Sequence, residues 1–105
     1  MAVVGDVTMY RGEDLTIDLD LPDPATDATG WATLMTVKAK PGDSVALFTV
    51  PGTVNDAHNI TFVLAAALTV GLAPGPYEYD MWRTSPGNSE LRRGRLNILQ
   101  RVYLP

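Results

Sequence analysis

The chain has 105 residues and no cysteine, which removes disulfides, thiolate metal sites and cysteine nucleophiles together. That fits assembly in a reducing compartment. Stability must then come from an ordinary core, and a chain of this length can bury one without a staple. Histidine is almost as scarce, His58 being the single one. A hydrolytic triad needs a base that is held by an acid and faces a nucleophile. Asp56 stands too near His58 in sequence to hold it, and no serine occupies a Gly-x-Ser-x-Gly elbow. Zinc needs further nitrogen or sulfur ligands, which are missing; so are phosphate-loop and dinucleotide fingerprints. No catalytic residue, cofactor or metal is expected.

Long hydrophobic runs are absent too. The longest, Phe62 to Leu68, is broken at Thr69 and Gly71 and is far short of a bilayer span. The opening Met-Ala-Val-Val-Gly-Asp-Val has no basic or apolar leader region. Neither a secretory signal nor a membrane partner is expected. A hydrophobic fraction of 46% argues against disorder, and the length suits a single domain over 1–105.

Charge is present but uneven. The net value is −4 and the pI about 4.6. Asp6, Glu13, Asp14, Asp18, Asp20, Asp23 and Asp27 crowd the first half, while Arg83, Arg92, Arg93, Arg95 and Arg101 crowd the last segment. Two readings stay open: solvated strand faces, or head-to-tail complementarity between neighbouring copies that sets register. Nucleic acid is not an expected partner, because the domain is acidic and its arginines lack interleaved aromatics. Calcium between Asp20, Asp23 and Asp27 is chemically conceivable. Their spacing is not an EF-hand loop, and charges that keep strand edges from aggregating explain these acids better. Asn59-Ile60-Thr61 fits a glycosylation sequon, which matters only in a secreted eukaryotic protein.

Alternation with a period of two dominates what remains. Leu15, Ile17, Leu19 and Leu21 alternate with Thr16, Asp18 and Asp20, as in a half-buried strand. Pro22 to Gly30 is a loop of turn formers. Trp31 to Lys40 reads as a strand with Trp31, Met35 and Val37 on one face and Leu34 out of step. Pro41-Gly42-Asp43-Ser44 is a turn, Val45 to Val50 a short strand, and Asn55 to His58 another turn. Ile60, Phe62 and Leu64 alternate again, and Ala65 to Leu72 reads as one or two helical turns. Tyr77 to Thr84 is a strand, Ser85 to Asn88 a hairpin turn. The last strand spans about Leu91 to Leu104, with Leu96, Ile98, Val102 and Leu104 facing the core. About seven short strands with Pro/Gly turns predict an all-β, immunoglobulin-like antiparallel sandwich with one short helical turn before the penultimate strand. Tyr77, after Gly75 and Pro76, is the candidate for a tyrosine corner, with plain core filler as the alternative.

If Tyr77, Tyr79 and Met81 point inward, period two turns Glu78, Asp80, Trp82 and Thr84 outward. An outward tryptophan is the residue type most enriched at interface hot spots; a bulged strand or a covering loop is the competing account. The start of the chain, residues 1–5 with Val3 and Val4, offers an extended arm that could add as an edge strand to a neighbour.

Several segments together resemble the N-terminal sandwich domains of phage baseplate upper proteins and related tail and fibre modules. They are Tyr10-Arg11-Gly12-Glu13-Asp14 leading into an alternating strand, and Gly30-Trp31 opening the third strand. Leu72-Ala73-Pro74-Gly75-Pro76-Tyr77-Glu78-Tyr79-Asp80 and Gly94 in the final strand complete the match. The resemblance implies a non-enzymatic virion structural subunit of tail, baseplate, neck or capsid, made and assembled in the host cytoplasm. Its expected partners are other virion proteins and copies of itself. Contacts are expected at Trp82, Arg92, Arg93, Arg95, Val3 and Val4, with Tyr77, Gly75 and Trp31 structural. The alternative is a carbohydrate- or cell-surface-binding sandwich, for which Trp82, Asp80 and Asn88 are the best site the sequence offers.

Overall fold

Alternating side chains build the sandwich one strand at a time. A computed structural model of the chain describes residues 3–22, 25–40 and 42–100. Its strands are β1 (Val3–Val4), β2 (Val7–Tyr10), β3 (Leu15–Asp20), β4 (Ala32–Lys38), β5 (Phe48–Pro51), β6 (Thr53–Asp56), β7 (Asn59–Leu64), β8 (Gly75–Ser85) and β9 (Ser89–Leu99). One 3₁₀ turn, Ala66–Leu68, precedes β8. The large sheet runs β9-β8-β4-β5, with β1 and β2 both lying parallel along the outer side of β9; the small sheet runs β3-β7-β6. The chain changes sheet after β2, β3, β5 and β7. This is an immunoglobulin-like β-sandwich.

Ile17 and Leu19 of β3 meet Phe62 and Ile60 of β7 across the small sheet. Met35 and Val37 of β4 meet Met81 and Tyr79 of β8 across the large one. All these side chains are buried, each contributing roughly 1.5–3 kcal/mol through its removal from water. Antibody domains carry a disulfide and a tryptophan between their sheets. Here Phe62, Met35 and Met81 fill the interior.

The two most distinctive sequence segments form one joint. Gly12 takes φ +78 in the turn between β2 and β3, a conformation that costs glycine little. Its N–H donates to the hydroxyl of fully buried Thr69 at 2.9 Å. Asp14 accepts the Ala66 N–H at 2.7 Å and so caps the 3₁₀ turn from a distance. Tyr77 then closes the corner, its hydroxyl donating to the Ala73 carbonyl at 2.6 Å.

Some expectations shift. Trp31 precedes β4 rather than lying on its inner face, which Thr33, Met35 and Val37 occupy. The ring packs against the core from the side, with the Arg83 guanidinium 4.9 Å from its centroid. The strand expected at Val45 to Val50 begins at Phe48. Thr53–Asp56, which alternation alone does not mark, is a strand because it pairs with β7. The N-terminal arm is not free, because Val3 and Val4 pair with Arg92 and Arg93 of the same chain. Met1, Ala2, Asp23, Pro41, Arg101, Val102 and Leu104 lie outside the described residues.

Candidate functional site

The outer face of the large sheet gathers the residues that sequence alone sets apart. Pairing is in phase between β4 and β8 from Thr33 to Lys38, so Trp82 stands opposite Leu34, and Met81 opposite Met35. Met35 is core; Trp82 and Leu34 therefore face outward, both half-buried. Pro51 of β5 extends this apolar row beyond Leu34. A bulge does occur here, but it falls on β9. Met81 pairs with Arg92 and Trp82 with Glu90, leaving Leu91 as the extra residue.

A charged belt lies beside the apolar row. Glu78 is opposite Arg95 and Lys38, and Asp80 is opposite Arg93 and Thr36. Arg95 Nε comes within 3.8 Å of the Glu78 carboxylate, and Arg93 Nε lies at the same distance from Glu90. The two arginine side chains remain 63–64% exposed, so each pair contributes at most about 1 kcal/mol. Asp6 joins by accepting the Arg95 backbone N–H at 3.1 Å. The belt floors an open groove of about 500 Å³. At the far end, Tyr10 and Leu99 form an exposed cross-strand apolar pair.

The expected arginine patch is corrected in one respect. Arg92 does not share the face of Arg93 and Arg95: its register opposite Met81 turns it toward the N-terminal strand. A Cβ added to Gly5 would stand 2.8 Å from its guanidinium, which also lies 6.0 Å from the Tyr79 ring centroid. Arg93 and Arg95 stay on the outer face, each beside one carboxylate of its own sheet, Glu90 and Glu78, and each largely exposed. Val3 and Val4 are committed to β9 in backbone pairing.

Behind the belt, Tyr79 points inward and donates its hydroxyl to the Gly5 carbonyl at 2.5 Å. Burial pushes its phenol above the ordinary tyrosine range, opposed by the nearby Arg92 charge.

Around His58 the chemistry is local turn chemistry. Its N–H donates to the Asp56 carboxylate at 2.8 Å. Asp27 accepts the Thr29 N–H at 2.9 Å; hydrogen bonding from the Thr29 side chain first, then from that N–H, with a smaller contribution from the His58 charge, holds its carboxyl below the usual range. Of the conceivable calcium ligands, Asp20 is engaged by Asn59 Nδ2 at 2.8 Å. Among the described residues no group of three or more His, Cys, Asp or Glu could hold a metal ion, and no helix is long and apolar enough to cross a membrane.

Sequence reasoning found the outward register of Glu78, Asp80 and Trp82. It put Lys38 on the wet face of its strand but did not draw Lys38, Leu34 or Glu90 into the site, and these complete the face. Leu34 carried a signal, as the one apolar residue out of step in its strand.

No protein-family model matches this chain, and no curated protein sequence matches it. Solved structures with a similar course exist. One is the extracellular domain of the voltage-gated sodium channel beta4 subunit, described as parallel homodimers in cell-cell adhesion. It is 10% identical, covers 97% of this chain and 96% of that one, and has a TM-score of 0.48. A sodium channel beta subunit from a cross-linking study of cell-adhesive interactions gives 10% identity, 91% and 92% coverage and a TM-score of 0.44. CD84, of the SLAM family, gives 14%, 93% and 99%, and 0.43. Likenesses this remote carry no functional argument. The assignment to immunoglobulin-like sandwiches rests on the strand order and the tyrosine corner.

Proposed function

We propose that this chain is a non-enzymatic structural subunit of a phage particle, and that it assembles with copies of itself through the outer face of its large sheet. One observation carries the self-association: the β8 carboxylates Glu78 and Asp80 form a column directly beside the β9 guanidiniums Arg93 and Arg95. A two-fold axis lying above the sheet, parallel to the strands and between β8 and β9, sets the acidic column of one copy over the basic column of the other. Such a face is complementary to itself, as an isologous contact requires. The Leu34–Trp82 row supplies the apolar anchor at its margin. The phage assignment is supported by the resemblance around Tyr10–Asp14 and Leu72–Asp80. A sugar-binding reading is less well supported, because Trp82 is half-buried beside Leu34 rather than standing as an open platform.

The test is charge reversal with rescue. Light scattering across a concentration series should show the parent chain self-associating, more weakly as salt rises. Arg95→Glu and Glu78→Arg should each remain monomeric, and an equimolar mixture of the two should associate again. A parent chain that stays monomeric at every concentration and binds a glycan array would sink this reading. Mass spectrometry of purified particles tests the virion assignment separately, by the presence or absence of the chain.

A further inference from the structure

The small sheet ends in a strand edge that the fold leaves unprotected in backbone geometry. Natural sheets blunt their edges by shortness, proline, bulges or charge. Three of the open edges here follow that rule. β5 has four residues and ends in Pro51. β6 has four and slips register between Val54 and Asp56, and β2 has four. β3 relies on charge alone, at Asp18 and Asp20: its six residues pair with β7 in unbroken register from Leu15 to Asp20, without proline or bulge.

The phase of that ladder fixes which groups are free. Leu21 N–H donates to the His58 carbonyl at 2.8 Å, one step beyond the Asp20–Asn59 pair. Hydrogen-bonded and non-bonded pairs alternate in an antiparallel ladder. The main-chain groups of Leu15, Ile17 and Leu19 therefore bond β7, while those of Thr16, Asp18 and Asp20 point out of the sheet. Those three have no main-chain partner among the described residues. Leu15 and Leu21 at the two ends stay half-buried.

The side chains on this edge state the charge of an occupant. Asp18 and Asp20 lie on the outer face and, among the described residues, accept only from Thr61 Oγ1 and Asn59 Nδ2, each at 2.8 Å. Neither belongs to an ion pair among the described residues. Two β3 edges meeting each other would bring these carboxylates together, so the edge repels its own copies. A cationic strand meets no such penalty. The geometry points to β3 as a strand-addition site for an extended segment of a partner protein that carries Lys or Arg at alternate positions and apolar residues between them. Main-chain bonds to Thr16, Asp18 and Asp20 supply affinity, and the two carboxylates select the cationic register. This site lies on the opposite sheet from the proposed self-contact and does not depend on it.

The probe is a synthetic peptide, Lys-Val-Lys-Val-Lys-Val-Lys, with Glu-Val-Glu-Val-Glu-Val-Glu as the control, added to the ¹⁵N-labelled full chain. The lysine peptide should shift the amide signals of Thr16 to Asp20 saturably. At ten times its dissociation constant it should slow their hydrogen exchange by about tenfold. The glutamate peptide should do neither, and Asp18→Lys with Asp20→Lys should reverse the preference. If that double variant does not fold, Asp18→Asn with Asp20→Asn should narrow the difference between the peptides instead. Equal binding of both peptides, no binding, or shifts confined to β5, β6 or the β8–β9 face would overturn the assignment.

Discussion

Gly94 offers the sharpest perturbation of the fold. It lies on β9 opposite Tyr79, where the N-terminal strand crosses between its two stretches of pairing. A Cβ there would overlap the Gly5 carbonyl oxygen and stand 2.7 Å from the carbonyl carbon. Both are backbone atoms, so Gly94→Ala must push the Gly5 segment away from β9. Two hydrogen bonds hold Gly5 itself: its N–H to the Arg93 carbonyl at 3.0 Å, and the Tyr79 hydroxyl to its carbonyl at 2.5 Å. At about 1 kcal/mol each, their loss costs about 2 kcal/mol. Removing a glycine from the unfolded chain returns about 0.4–1 kcal/mol. The net is a loss of about 1–2 kcal/mol, equivalent to a melting point lower by roughly 4–16 °C. Urea unfolding followed by tryptophan fluorescence measures it. Tyr79→Phe removes one of the same two bonds, so the double variant should be less destabilised than the sum of the singles by about 1 kcal/mol. Strict additivity, or an alanine variant as stable as the parent, would refute the claim that Gly94 exists to admit Gly5.

Tyr77→Phe deletes the corner bond to Ala73 and should cost about 1 kcal/mol in urea unfolding without changing self-association measured by light scattering. Trp82→Ala should weaken self-association yet reduce stability by less than about 1 kcal/mol, the range of one cross-strand pair with Leu34; a larger loss would show that the ring is core. The Tyr79 phenol keeps its proton to higher pH when folded than when unfolded, where its value is 10.0. Its contribution is therefore complete below the unfolded value and is lost as pH rises through the folded one, because the unfolded chain then binds fewer protons. Melting temperatures of the parent should fall more steeply above about pH 10 than those of Tyr79→Phe.

Most of the sandwich was legible because alternation and turn chemistry agree along the chain. β3 and β7 carry an apolar residue at every second position, β8 does so from Tyr77 to Met81, and a proline or glycine turn flanks β8 on both sides. β6 was not legible: Thr53-Val54-Asn55-Asp56 has a single apolar residue, and only its ladder with β7 makes it a strand. Trp31 misled for a related reason. It fits the inward period of Met35 and Val37, but the pairing of Thr33 with Arg83 begins the regular ladder two residues later. The arginine cluster was visible as composition and invisible as geometry. Neighbours in sequence point to opposite faces of a strand, so Arg92 had to part from Arg93 and Arg95. The acids beside the latter two, Glu78 and Glu90, sit on β8 and at the start of β9, and only pairing register brings them alongside.

The same register ties the two ends of the molecule to one decision. In many sandwiches of this class the first strand lies against the small sheet; here β1 and β2 both run along β9. Gly94 is what lets them do so without a break, because any side chain there would expel Gly5. Tyr79 then fixes the crossing from within the core. With the N-terminal segment committed to the large sheet, nothing in the described chain is left to cover β3. The unpaired main-chain groups at Thr16, Asp18 and Asp20 and the latch at Gly5 are consequences of a single topological choice. If Gly94→Ala frees the N-terminal segment, that segment cannot simply transfer to β3, for Val3, Val4 and Val7 bring no cation to Asp18 or Asp20. The acidic edge would stay open, and its preference for a cationic strand should persist in the Gly94→Ala variant unchanged.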